Sequence, residues 1–97
     1  MRNAAAGFVE AEGFIPIFDA VDAMVKATEV EVTGVVRLGG GIVAVAVRGD
    51  LATVEEAVDI GEETARAKTG RPVRSIVFAS PCDAVTALAI DPGLVGN

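Results

Sequence analysis

Three consecutive glycines, Gly39-Gly40-Gly41, stand between two segments rich in β-branched residues, and that juxtaposition leaves this chain few options. From Glu29 to Arg37, Val30, Val32, Gly34 and Val36 oppose Glu31 and Thr33, and Ile42 to Val47 reads Ile-Val-Ala-Val-Ala-Val. Alternation with a period of two predicts strands, and two strands joined by a glycine-rich turn predict an antiparallel hairpin. In the second strand Val43, Val45 and Val47 share one face. Ile42, Ala44 and Ala46 share the other, where small side chains suit the close approach of a helix or a neighbouring chain. The glycine run matches neither G-x-x-x-x-G-K-[ST] nor G-x-G-x-x-G, and a strand follows it where a phosphate loop needs a helix N-terminus. It reads instead as a plain hairpin turn, or as an exposed loop that presents backbone N–H groups to something passing close by, which side chains would obstruct.

The flanking segments alternate between strand and helix signals. Gly7-Phe8-Val9-Glu10-Ala11-Glu12 is a strand with one wet face, broken at Gly13. From Ile15 the period lengthens, so that Ile17, Phe18, Val21, Met24, Val25 and Thr28 share a helical face while Asp19, Asp22 and Lys26 lie on the wet side. Pro16 falls in the first turn, where its missing N–H costs nothing. A second helix is capped by Asp50 or Thr53, with Thr53-Val54-Glu55-Glu56 as a capping box and acidic residues crowding its start. Arg66 and Lys68 close it, and Gly70 stops it. Its apolar stripe is Leu51, Val54, Val58, Gly61 and Ala65, and a glycine within a helix implies a tight contact. Val73 to Phe78 is a last strand, followed by a short helix opened by Ser80-Pro81-Cys82-Asp83, with Val85, Leu88 and Ala89 as its apolar side. The sum is an α+β fold, β-α-β-β-α-β-α, a ferredoxin-like variant with an antiparallel sheet and its helices on one face. One domain covers residues 1–89, and residues 90–97 form a flexible tail.

Composition then limits what such a domain does. Among 97 residues, 52% are apolar and the mean hydropathy is +0.52, but 17 are Ala, 16 are Val and all four aromatics are Phe. Small side chains build a thin core, so the surplus apolar surface is expected to find another subunit. A net charge of −6 with no basic block argues against nucleic acid as a partner. The longest uncharged apolar run, Ile42 to Val47, is too short to cross a bilayer, and no signal peptide is expected. With no His the commonest general base and zinc ligand are both missing. The single Cys, Cys82, fits a reducing cytoplasm and has no companion base, so it reads as an ordinary thiol and not a nucleophile. Glu10, Glu12, Asp19, Asp22, Glu55, Glu56, Glu62 and Glu63 read as a solvated surface. No catalysis, cofactor or metal is expected.

Four segments together resemble a known family. They are Gly7-Phe8-Val9-Glu10-Ala11-Glu12-Gly13, Asp19-Ala20-Val21-Asp22-Ala23-Met24-Val25-Lys26-Ala27, Arg37-Leu38-Gly39-Gly40-Gly41 and Val45-Ala46-Val47-Arg48-Gly49-Asp50. They are similar, in order, to G-x-[IV]-E-T-x-G, A-A-D-A-M-x-K-A-A, K-[IV]-G-[SG]-G and V-x-V-R-G-[DE] of the hexamer-forming bacterial microcompartment shell domain. The resemblance implies a structural subunit whose homo-hexamers tile a protein shell in the bacterial cytoplasm, beside other shell proteins and around encapsulated enzymes. It implies that Gly39, Gly40 and Gly41 line a central pore for small polar metabolites, flanked by Arg37 and Leu38. It also implies that Lys26 lies at the edge where hexamers meet, with Glu29, Ser80 and Pro81 at the same edge. Three departures stand out: Ser80-Pro81-Cys82 replaces the family's Arg-Pro-His, Glu29 replaces the Asn after the edge lysine, and Gly40 stands where many relatives carry Ser. The first two bear on docking between hexamers and the third implies a wider or more polar-neutral aperture. The alternative is a small-metabolite-binding regulatory protein of ferredoxin-like fold, a trimer binding ligand in subunit clefts.

Overall fold

The computed structural model describes residues 5–79. Strand β1 (Ala5–Glu12) leads through Gly13 into helix α1 (Phe14–Ala27); β2 (Glu31–Gly39) and β3 (Ile42–Gly49) form the hairpin; α2 (Leu51–Lys68) and β4 (Val73–Phe78) complete the described elements. The strands pair antiparallel in the order β2-β3-β1-β4, so β1 is central while β2 and β4 are edges. The expected antiparallel α+β fold is therefore present. The predicted helix over 80–89 and the tail 90–97 lie outside the described residues, and Ser80, Pro81 and Cys82 lie there with them.

Alternation along β1 decides which face of the sheet the helices cover. Ala5, Gly7, Val9 and Ala11 are buried, and Val43, Val45 and Val47 of β3 join them beneath Ile17, Ala20, Met24, Val54, Ala57, Val58 and Ala65. Two glycines let the layers meet. A Cβ on Gly7 would stand 2.5 Å from Val58 Cγ2 and 2.9 Å from Val54 Cγ1, so α2 rests directly on the β1 backbone. A Cβ on Gly61 would stand 2.7 Å from Met24 Sδ, which is the tight contact the sequence implied, made here by α1 on α2.

Several expectations are corrected. The helices cover the Val face of β3, so the Ala face is not where a described helix approaches. In β2 the predicted alternation fails after Val32. Val32 pairs with Val47 but Gly34 pairs with Ala46, leaving Thr33 as an extra residue that reverses the phase. Val35 then packs against the core and Val36 faces outward. In α1, Phe18 and Val25 are not on the core face; they are 56% and 47% exposed. At the start of α2 the cap is Asp50, whose carboxylate accepts from the Thr53 N–H at 2.9 Å. Thr53 is therefore inside the helix and its capping box is not formed; its first turn holds no acidic residue, and Leu51 is 39% exposed at the helix mouth. The helix ends on Thr69 in an extended conformation, not on a left-handed Gly70.

Candidate functional site: the glycine hairpin and the far end of α1

The β2–β3 turn is built from backbone alone. Gly39, Gly40 and Gly41 all have positive φ, at 88°, 62° and 83°. Two successive left-handed residues at Gly40 and Gly41 match the hairpin turns whose twist suits right-twisted strands, a conformation that costs other L-residues roughly 1–2 kcal/mol each. Crowding is not the reason for glycine: an added Cβ at Gly39 or Gly40 would meet nothing within 4 Å. The root of the loop is fixed, because the Gly13 N–H donates to the Gly41 carbonyl at 2.8 Å. The tip is exposed.

Side chains gather only at the root. Leu38 is the extra residue of a second irregularity between Arg37 and Gly39, and it is half-buried. The Arg37 guanidinium lies 5.5 Å over the centre of the Phe14 ring, a cation–π contact that holds the charge beside the loop. Gly13, Phe14, Arg37, Gly39, Gly41 and Ile42 border a concavity of about 440 Å³. Gly13, Phe14 and Ile42 were not among the residues expected here. The Glu12–Ile42 pairing brings them in, and that register follows from strand pairing across 30 residues of chain, not from any local motif.

Lys26 lies elsewhere. It lies twelve positions along the helix from Phe14, which at 1.5 Å per residue is roughly 18 Å along α1. Its Nζ pairs with Asp22 Oδ2 at 2.9 Å, and the side chain is 74% exposed, so the pair adds little stability. Thr28 ends the helix by donating its hydroxyl to the Met24 carbonyl at 2.8 Å and accepting from the Val30 N–H at 3.2 Å. Glu29 is exposed beside it and forms no ion pair among the described residues. The structure thus brings Arg37, Leu38 and the three glycines together at one end of α1 and leaves Lys26 and Glu29 at the other. Ser80 and Pro81, assigned to the same edge, fall outside the described residues.

Among the described residues no three Asp, Glu, Cys or His side chains gather to hold a metal ion, and no buried polar side chain lacks a hydrogen bond. No described helix is long and apolar enough to cross a membrane. What remains distinctive is a backbone loop, an apolar helix flank and a surface lysine. These are features of a packing module whose working parts are surfaces.

Comparison with known proteins gives that class a family. Residues 5–81 match the BMC domain, and the chain belongs to this family of bacterial microcompartment shell proteins. It is 42% identical over 66 residues to the bacterial microcompartment shell protein PduA of Citrobacter freundii, covering 68% of this chain and 71% of that one. It is 41% identical over 78 residues to the carboxysome shell protein CcmK2 of Thermosynechococcus vestitus, covering 79% and 76%. Among solved structures, a microcompartment protein from Desulfitobacterium hafniense DCB superposes with a TM-score of 0.70 over 80% of this chain at 24% identity, a likeness of fold. This chain spans 42% of that one's length.

Proposed function

We propose that this protein is a structural subunit of a microcompartment shell, assembling into cyclic hexamers whose glycine loops converge on a central pore and whose Lys26 side chains meet the next hexamer. The observation that carries the reading is the placement of the two features at opposite ends of α1. A loop with an exposed tip and no side chains suits a crowded symmetry axis, where any side chain is repeated six times. A solvated lysine roughly 18 Å away along the helix suits an outer rim. Backbone N–H groups at the loop, with Arg37 beside them, favour small polar or anionic metabolites over apolar ones. On this reading the chain has no catalytic role, and its partners are its own copies, other shell proteins and the enclosed enzymes.

Light scattering coupled to size exclusion tests the assembly. A species near six times 9.8 kDa is expected, and a stable monomer or trimer would overturn the hexamer. Tiling is tested separately. Lys26→Asp should leave hexamers intact while abolishing sheets or tubes in electron micrographs, because Lys26 acts between hexamers. Loss of the hexamer itself would move Lys26 from the rim to an interface within the ring.

A further inference from the structure

Among the described residues, Arg37 is the one cation that no carboxylate neutralises. Lys26, Arg48, Arg66, Lys68, Arg71 and Arg74 each lie within 4.0 Å of an Asp or Glu oxygen, whereas Arg37 forms no ion pair among the described residues. Glu12 comes near the loop, its Cγ 3.7 Å from where a Cβ on Gly41 would stand, yet its carboxylate pairs with Arg71 at 3.7 Å. In a chain of net charge −6, an unpaired positive charge beside the loop calls for a reason.

What holds the guanidinium is a ring and not a charge. It stands 5.5 Å from the centre of the Phe14 ring, and that ring in turn lies 5.4 Å from Phe18, tilted by 38°. A cation–π contact restricts where the guanidinium goes but leaves its full charge, while a carboxylate in the same place would cancel the field. Phe14 also follows directly on Gly13, whose N–H donates to the Gly41 carbonyl at 2.8 Å. One dipeptide at the end of β1 therefore grips the loop at both roots, the Gly13 amide on the β3 side and the Phe14 ring on the β2 side. The three glycines offer no side chain, so the charge beside them is placed by another element.

We infer that Phe14 is the positioning residue for Arg37, keeping one unneutralised charge per subunit at the root of the glycine loop. The inference rests on the pore proposed above and adds what sets its discrimination. Six fixed cations around one aperture separate small anions from neutral solutes of similar size, where the loop amides contribute only partial charges. Phe14 acts through Arg37 and touches no solute.

Two measurements test it. In proton NMR of the folded full-length chain, the Arg37 side-chain protons should be shifted upfield by the ring. Phe14→Leu should abolish that shift and Phe14→Tyr should keep it; a shift absent from wild type, or one that survives Phe14→Leu, would overturn the contact. If Phe14→Leu does not fold, Phe14→Met removes the ring from a folded chain. Permeation is read in shells with this protein as the main tile, by stopped-flow quenching of an enclosed fluorophore with iodide and with neutral acrylamide. Arg37→Gln should slow iodide and not acrylamide. Phe14→Leu should lower the iodide-to-acrylamide ratio about two- to five-fold by slowing iodide alone, the population shift that an exposed cation–π contact supports. Phe14→Tyr should keep the wild-type ratio. Faster entry of both quenchers in Phe14→Leu would mean a damaged tile and overturn the positioning role. So would a ratio that falls in Arg37→Gln and stays at wild type in Phe14→Leu, although the pore would stand. A ratio that Arg37→Gln leaves unchanged would overturn the loop as the conduit, a failure distinct from that of Phe14.

Discussion

Gly7 and Gly61 both mark close approaches, yet what stands opposite each differs, and that difference predicts unequal costs. At Gly7 an added methyl would meet two branched, buried valines, Val54 and Val58, whose χ1 freedom is small. At Gly61 it would meet the thioether of Met24, an unbranched side chain with three torsions to relax through. Alanine at Gly61 also regains helix propensity of roughly 1 kcal/mol. Gly7→Ala should therefore destabilise by about 2–3 kcal/mol and Gly61→Ala by clearly less, as chemical denaturation would show. The reverse order would mean that α2 moves off β1 more easily than Met24 repacks. The cap of α2 gives a second prediction. The Thr53 backbone N–H, with the Thr53 hydroxyl, holds the Asp50 carboxyl below its ordinary value of 3.8. A depressed folded pKa contributes stability above the ordinary pKa and loses it as pH falls through the folded value. Wild type should thus melt above Asp50→Ala near neutrality, with the gap narrowing as pH falls below about 4, whereas Asp50→Asn should cap with no such pH dependence. A gap unchanged in acid would show that the carboxylate charge is not what caps the helix. Gly61 was legible in the sequence because glycine inside a helix demands a reason. Gly7 was not, since a glycine near a strand's start looks like a boundary until α2 is seen lying on it.

At the scale of elements, the strand and helix order was legible because the hydrophobic period switches cleanly between two and 3.6. Phase within an element was harder. Thr33 is the extra residue in β2, its hydroxyl donating to the Ala46 carbonyl at 3.2 Å, and beyond it every side chain changes face. Nothing in Glu31-Val32-Thr33-Gly34-Val35-Val36 distinguishes a bulge from a regular strand, since valines occupy both phases. The consequence can be measured: Val35→Ala should cost about 1–2 kcal/mol of stability, while Val36→Ala should stay within about 0.5 kcal/mol. Simple alternation from Val30 predicts the opposite ranking, so one pair of denaturation curves decides between them. Helix α1 hid its organisation for a related reason. Two adjoining apolar stripes merge into one broad face on a helical wheel, and only the position of α2 shows which half is covered.

For the whole molecule, the glycine loop is the feature whose meaning changes most between one copy and six. In a single subunit, Gly40→Leu adds one exposed side chain in open space and a left-handed strain of roughly 1–2 kcal/mol, with no further consequence. In the proposed ring the same change adds six apolar side chains to one constriction. Backbone strain must be separated from blockage, and Gly40→Asn does this, because Asn tolerates a positive φ better and is polar. Each variant should retain the proposed hexamer, because the substitution is confined to an exposed loop tip where an added Cβ meets nothing within 4 Å. Gly40→Leu should then slow entry of a small polar substrate into intact compartments, while Gly40→Asn should slow it much less. The measurement is substrate consumption by enclosed enzyme, compared before and after the shells are deliberately broken, with this protein as the main tile. Breaking the shells should restore the Gly40→Leu rate to that of wild type, since the enzyme inside is untouched. Equal rates for intact wild-type and Gly40→Leu shells would show that metabolites do not pass by this loop. The hexamer would survive that result, and the three glycines would then be explained by the geometry of a hairpin turn alone.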